Sequence, residues 1–478
     1  MVAAADVLFP AHKTLHEPSL AVGNRSASVG GKTLHPLRGL VEHGPYSASA
    51  LGTFAKKIRV ALISPADEIS RVRGLFRELT EVHRPRERRD YLIDFPGFNE
   101  VFGVQVVPAH DRAHVVLPSD LDDRVASSGS PHGVLAEAMT EALSAAAAIR
   151  MDFDVVAVRL PDRWARGFVA SGSETFDLHD YIKADAASRG IATQLLRDRA
   201  FDYFDRCSVA WRLGIALYVK AGGVPWKLAD FEPDTAFFGI GYSLGSGAEG
   251  NRFVRCCSQV FEATGTGLEF VAFEVDETEL AGISHDNPFF TRDQMRTVMA
   301  RSLQLYQTQH AGRLPRRVVV HKTTPFKPSE IEGSFDALGQ VGDVDLLHVQ
   351  RDVRWRAVRG IGQGKPDRWP CHRGTLVFLS QTELLLWTQG NAPSVSARGN
   401  YFKEGRGIPA PLMVTRYAGH EPAERVASEL LGLTKMDWNN DGLYDRLPVT
   451  IDYARKLART IRRIPRIHPG PHPFRLFM

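Results

Sequence analysis

Four side chains in one short span of this 478-residue chain have the types and order needed to grip an anion: His179, Lys183, Gln194 and Lys220. His179 and Lys183 stand four apart in DLHDYIKADAASRG, so on a helix they share one face and their donors point the same way. Gly190 closes that helix. Thr193 is expected to cap a second, long helix with Gln194 in its first turn, and Lys220 should sit at its far end, before the Gly222-Gly223 stop. A helix N-terminus flanked by cationic and amide donors is a phosphate site, because free backbone N–H groups and charge act on the same oxygens.

The elements that must position these residues follow from hydrophobic periodicity. KIRVALISP at 57–65 reads as a buried strand and 66–83 as a helix; VFGVQVVPA at 101–109 is another strand. HGVLAEAMTEALSAAAAI is a helix of good formers, followed by the strand DVVAVRLP. Alternating strands and helices predict a parallel, Rossmann-like α/β domain, in which ligands gather at the C-terminal strand ends. The span from His179 to Gln194 comes directly after such an end.

The second half opens with TAFFGIGYSLG from Thr235, and GLEFVAFEV is expected to pair with it as the next strand, with ATGTG as the turn. A helix at about 293–310 precedes the strand RRVVVHK. Strands at 344–350 and 374–388, the segment PAPLMVTRYAG and a helix over about 448–463 complete the order.

Composition excludes little. Apolar content of 44%, charged content of 24% and a net charge of +4 describe an ordinary water-exposed protein with room for two or three domains. From Arg455 onward, however, the basic residues Arg455, Lys456, Arg459, Arg462, Arg463, Arg466 and Arg475 face no acid, which suits a polyanion. No charged n-region and apolar h-region opens the chain, and no run of eighteen apolar residues occurs, so a cytoplasmic location away from membranes is expected. The four cysteines, Cys207, Cys256, Cys257 and Cys371, have neither disulfide nor zinc spacing.

The order His179-x-x-x-Lys183, Gln194 within GIATQ, and Lys220 before GGVPW resembles the pocket by which the MID domain of prokaryotic Argonautes holds the 5′-phosphate of a guide strand. Most relatives have Tyr at the first position, so His179 marks a variant subgroup. HPLRGLVEHGPYS resembles the opening segment of short Argonautes, and would otherwise be read as a loop. The resemblance implies an N-terminal extension over 1–55, a MID domain over 56–230 and an RNase H-like PIWI domain over 231–478. It also implies that Met478, in the apolar end PFRLFM, supplies a terminal carboxylate that helps Mg²⁺ hold the guide's first phosphates.

An RNase H-like nuclease needs carboxylates converging on two metals. By resemblance to active Argonautes, the positions matching those carboxylates are Gly241, Thr323 and Arg455, none of which is an acid, so a PIWI domain without nuclease activity is expected. The family then implies a guide RNA, a single-stranded DNA target and a partner carrying an APAZ domain fused to an effector, Sir2-like first, otherwise TIR or a nuclease. Target binding would switch on that partner in defence against plasmids and phages. Two other readings stay open: a nuclease whose carboxylates are displaced, drawing on Asp234 or Glu274, and a partner-binding subunit that never loads a guide. MDWNNDGLYD has EF-hand-like spacing at Asp437, Asn439 and Asp441, but Pro448 stands where the bidentate Glu is needed. GIGQGKP at 360–366 has Pro366 in place of the P-loop Ser or Thr.

Overall fold

A computed structural model describes residues 11–23, 31–47, 57–170, 176–246, 252–262, 267–276, 282–284, 287–360, 365–395, 399–402, 407–439, 441–461 and 472–478. Two sheets dominate it. The first is parallel, in the spatial order Thr193–Leu196, Val155–Arg159, Lys57–Ser64 and Gln105–Pro108, with Val115–Val116 also pairing with Lys57–Ser64. Strand side chains alternate between faces, and these do so between two cores. Ile58, Val60, Leu62, Val155 and Ala157 join one core with Trp211 and Ile215 of the helix Arg206–Lys220. Ala61, Ile63, Val156 and Val158 join another with Leu135, Met139 and Leu143 of the helix Pro131–Ala147. Helices therefore cover both faces, as an all-parallel sheet requires.

The second sheet has ten strands and is mixed. Thr235–Ser246 and Asp343–Gln350 run parallel to Arg317–Lys322 between them, and antiparallel strands extend the sheet on both sides. Phe238, Ile240 and Val320 pack under Met295 and Met299 of the helix Arg292–Gln309. Phe237 and Val319 turn to the opposite face, beneath the helix Val449–Ile461. That helix lies hard on the sheet. A Cβ added to Gly239 would fall 2.0 Å from the Thr450 carbonyl oxygen, and one on Gly241 would fall 2.4 Å from the Ala454 carbonyl. Only glycine permits this approach.

Several expectations are corrected. Thr193 does not cap a helix: Thr193–Leu196 is a strand whose Ala192–Leu196 surroundings are too apolar and β-paired to leave the sheet, and the long helix starts at Arg206 with Asp205 as its cap. Gln194 accordingly sits mid-strand, not in a helix turn. Gly267–Asp276 does not pair with Thr235–Ser246, because the strand Arg252–Glu262 lies between them and pairs with both. The ATGTG turn lies outside the described residues. The span 374–388 is two strands, Thr375–Phe378 and Glu383–Leu386, paired with each other. Within HPLRGLVEHGPYS, Pro36–His43 is a helix with Leu37 and Leu40 in the core, not a loop.

The described part of 1–55 is woven into the rest. His12–Thr14 adds an edge strand against Thr375–Phe378, while Leu20–Ala21 pairs with Lys227–Leu228. The other end of the chain behaves alike: His472–Pro473 pairs with Gly267–Asp276, and the buried Leu476 packs on Ala187 and Ala192 of the first domain.

Candidate functional site

Asp177 caps the helix Leu178–Ser188, its side chain accepting from the Asp180 N–H at 3.2 Å, which fixes the direction in which His179 and Lys183 leave successive turns. Gly190, at φ 69°, reverses the chain into the strand Thr193–Leu196. Lys183 therefore meets the strand from the side. Its Nζ donates to the Thr193 carbonyl at 2.6 Å and also to the main-chain oxygen of Met478. Lys220, in the last turn of the helix Arg206–Lys220, donates to the amide oxygen of Gln194, and Arg475 donates to the Lys220 carbonyl at 3.4 Å.

These contacts form the wall of one cavity of about 690 Å³. All four candidates, His179, Lys183, Gln194 and Lys220, line it together with Met478. Lys183 and Lys220 are buried, whereas His179 stands at the mouth with 61% of its side chain exposed. Asp177, His179 and Asp180 bring potential ligand atoms within 4.8 Å of one another at that mouth. Burial pushes both amines down, Lys183 far below its ordinary value with Lys220 alongside as a second cause, and Lys220 to about 7. Both amines therefore give up their protons more readily than an exposed lysine. An anion in contact with them would restore the charge.

Residues that no spacing pointed to complete the cavity. Arg197, Arg199 and Arg212 come from the first domain, and Tyr453, Lys456 and Arg459 come from the helix Val449–Ile461 of the second. The basic run after Arg455 was the only sequence signal for the latter group. Several of these cations are already tied: Arg197 to Asp162 at 3.0 Å, Arg212 to Asp441 at 3.0 Å and Lys456 to Asp452 at 2.6 Å. Among the described residues the two buried lysines have no carboxylate side chain as a hydrogen-bond partner. They are the groups best placed to welcome an incoming negative charge.

The three positions named for a nuclease centre also converge. The last pair in the register between Thr235–Ser246 and Arg317–Lys322 is Ile240 with Lys322, so the next residues along the two strands are Gly241, inside Thr235–Ser246, and Thr323, just past the end of Arg317–Lys322. An added Gly241 Cβ would lie 2.9 Å from the Arg455 backbone nitrogen. Beside them a second cavity of about 640 Å³ is lined by Arg351, Arg446, Arg455, Asp437, Asp445 and Asp452, among others. Asp437 accepts from the Tyr453 hydroxyl at 2.7 Å, and Lys456 bridges Asp437 at 3.5 Å and Asp452 at 2.6 Å. Asp234 precedes the start of the strand, about 23 Å from Gly241 along an extended chain, and cannot join this group. The side chain of Glu274 lies outside the described residues.

Asp441 of the EF-hand-like stretch is buried and paired with Arg88 and Arg212, so it is committed to the protein's own cations. The described cysteines Cys207, Cys256 and Cys371 are buried and free. Among the described residues no helix is long and apolar enough to cross a membrane.

No protein-family model matches the sequence. The chain is similar to an Argonaute protein of Thermus thermophilus, 26% identical over 155 residues, which is 32% of this chain and 20% of that protein. Among solved structures, Clostridium butyricum Argonaute bound to a guide DNA and a 19-mer target DNA aligns with a TM-score of 0.64 and 14% identity, covering 96% of this chain and 54% of that one. An Aa-Ago structure with externally bound siRNA gives 0.62 and 16%, covering 98% and 56%. Drosophila Piwi gives 0.56 and 15%, covering 97% and 56%. The chain thus spans about half the length of these structures, and it has the α/β fold of the Argonaute MID and PIWI domains.

Proposed function

We propose that this chain binds a guide strand by its 5′-phosphate in the cavity of Lys183, Gln194 and Lys220, and uses the loaded guide to capture a complementary strand. The observation that carries the reading is the convergence of two buried amines, an amide and the Met478 main-chain oxygen on one cavity that both domains line. Burial lowers the pKa of both amines, and contact with phosphate favours their charged form, which gives the cavity a preference for the charged end over a 5′-hydroxyl end. His179 at the mouth would meet the outer phosphate oxygens or the first base. Sequence then comes from base pairing, while the protein holds backbone phosphates. The test is a comparison of 5′-phosphorylated and 5′-hydroxyl oligonucleotides of one sequence, in RNA and in DNA; equal affinity for the two ends would overturn the reading.

Magnesium belongs to this reading only together with the guide. The chain offers the Met478 oxygen, to which Lys183 already donates, and two neighbouring amines that repel a divalent ion once charged. They do not fit a resident metal unless phosphate supplies most of the ligands, and no part of the proposed recognition runs through one.

The same reading makes the second domain a duplex holder without nuclease activity. Gly241, Thr323 and Arg455 offer no carboxylate beside the end of the strand Arg317–Lys322, and helix backbone fills the space a side chain at Gly241 would need. A guide RNA, a single-stranded DNA target and an APAZ-bearing effector partner, Sir2-like, TIR or nuclease, follow from the resemblance, as does a role in defence against plasmids and phages. Sequencing copurified nucleic acid and identifying copurified protein tests the guide and the partner. Isolation with a partner but without any short 5′-phosphorylated strand would favour the guide-free subunit instead.

A further inference from the structure

Asp441 lies in the second half of the chain, yet side chains of the first half hold its buried carboxylate. Arg88 donates to it from Nη2 at 2.6 Å and from Nη1 at 3.4 Å, and Arg212 donates from Nε at 3.0 Å. The two cations are not equivalent. Arg88 also donates to the Ser208 hydroxyl and is mostly enclosed, whereas Arg212 has 47% of its side chain exposed and lines the cavity of about 690 Å³. Burial alone would raise the pKa of the Asp441 carboxyl, but hydrogen bonding and charge from Arg88 and Arg212 outweigh it and hold the group below its ordinary range. The carboxylate is therefore charged and needs a cation. Arg88 can serve it alone, because its two-point contact survives the departure of Arg212.

Arg88 is held in an uncommon backbone state, at φ 50°, where a residue with a Cβ stays only if its surroundings over-determine it. Its neighbour Glu87 accepts from the Tyr203 hydroxyl, and the Glu87 N–H donates to the Asp205 carboxylate at 3.3 Å. Tyr203, like Arg212, lines the first cavity. Two routes thus join that cavity to Asp441: one direct, through Arg212, and one through Tyr203, Glu87 and Arg88. On the far side, Asn439 lines the first cavity, while Asp437 and Asp445, four residues to either side of Asp441, line the second. Trp438, Leu443 and Tyr444 root this segment in the core, so a change at Asp441 shifts it without detaching it.

We propose that Asp441 is a built-in competitor for Arg212: a phosphate entering the first cavity takes the guanidinium from it, leaves Asp441 to Arg88, and shifts the segment that presents Asp437 and Asp445 to the second cavity. The anion is the 5′-phosphorylated end of the reading above, on which this exchange of partners rests. Phosphate moves the balance only as far as it binds the freed Arg212 better than the tied one. Occupancy of one cavity is thereby felt in the other, and Asp441 tunes how tightly the occupant is held.

The test uses the full chain with Asp441→Asn and Arg212→Gln, and three probes: a short 5′-phosphorylated oligonucleotide, its 5′-hydroxyl twin and inorganic phosphate. Titration gives affinity, and amide hydrogen exchange over 441–445 reports the segment. In the parent protein the phosphorylated oligonucleotide should raise that exchange about fivefold or more. Asp441→Asn should bind it about threefold to tenfold more tightly, because the tied state no longer has to be undone, and should exchange fast before any is added. A carboxylate that only fastens the two halves together would give the opposite sign, weaker binding on its removal. Arg212→Gln should bind more weakly and show no further rise in exchange on binding. Slowed or unchanged exchange at saturation in the parent protein would overturn the exchange of partners, as would weaker binding by a folded Asp441→Asn. If the parent protein does not prefer the 5′-phosphate, the guide reading fails, and the response of 441–445 to inorganic phosphate still decides whether Asp441 yields Arg212. Should Asp441→Asn fail to fold, the half-exposed Arg212→Gln makes the decision: fast exchange without any oligonucleotide supports the competition, and exchange equal to that of the parent protein overturns it.

Discussion

The amine of Lys220 donates to the side-chain oxygen of Gln194, so the final residue of a helix is fastened to the middle of a parallel strand. This link, and that of Lys183 to the next main-chain oxygens, places two bases where water is largely excluded.

Replacing Lys183 and Lys220 together by Ala should weaken loading of a 5′-phosphorylated oligonucleotide at least about a hundredfold, since each charge-assisted contact contributes about 1.5–3 kcal/mol. His179→Ala, at the exposed mouth, should cost about 1 kcal/mol or less. Titration of a fluorescent oligonucleotide measures both. Equal losses at the three positions would show that the buried lysines are not the anchor.

Loading should couple to proton uptake. Burial pushes the Lys220 amine down to about 7 from its ordinary value of 10.5. Between these values the unfolded chain carries the proton and the folded one does not, so stability of the empty protein rises with pH across that window. Phosphate binding demands the proton back. Affinity should therefore fall as pH rises above about 7, and the binding heat should vary with the ionisation heat of the buffer. A pH-independent affinity with no buffer dependence would contradict this.

Gly241→Ala should destabilise the protein by about 3 kcal/mol or more, because the new methyl group meets a helix carbonyl 2.4 Å away and neither backbone can yield cheaply. Gly241→Asp should cost at least as much and restore no cutting. Chemical denaturation supplies the measurement, and a neutral Gly241→Ala would mean that the helix Val449–Ile461 sits further from the sheet.

Incubation of the loaded protein with a complementary strand and Mg²⁺ or Mn²⁺ should leave that strand whole. A cut opposite the middle of the guide would reinstate the reading of displaced carboxylates.

Legibility followed the range of the interactions. The i,i+4 relation of His179 and Lys183 is local, and the structure places both on the cavity; the buried strand KIRVALIS and the apolar end containing Leu476 likewise announce themselves by composition. Thr193 misled because β-branched polar residues serve equally as caps and strand formers, and only the pairing with Val155–Arg159 decides between them. Arg252–Glu262 escaped for a similar reason: RFVRCCSQVFE mixes charge with short apolar runs and gains its order from two neighbours. Arg197, Arg212 and Arg459 reach the cavity through tertiary packing, which no spacing in the chain encodes.

The helix Val449–Ile461 rests on the sheet through main-chain contacts at Gly239 and Gly241, while its side chains Lys456 and Arg459 front both cavities. At those two glycines no side chain separates that beam from the sheet. Tilting it to suit an occupant on one side must therefore reshape the compartment on the other, which gives this molecule a short mechanical route between its two halves.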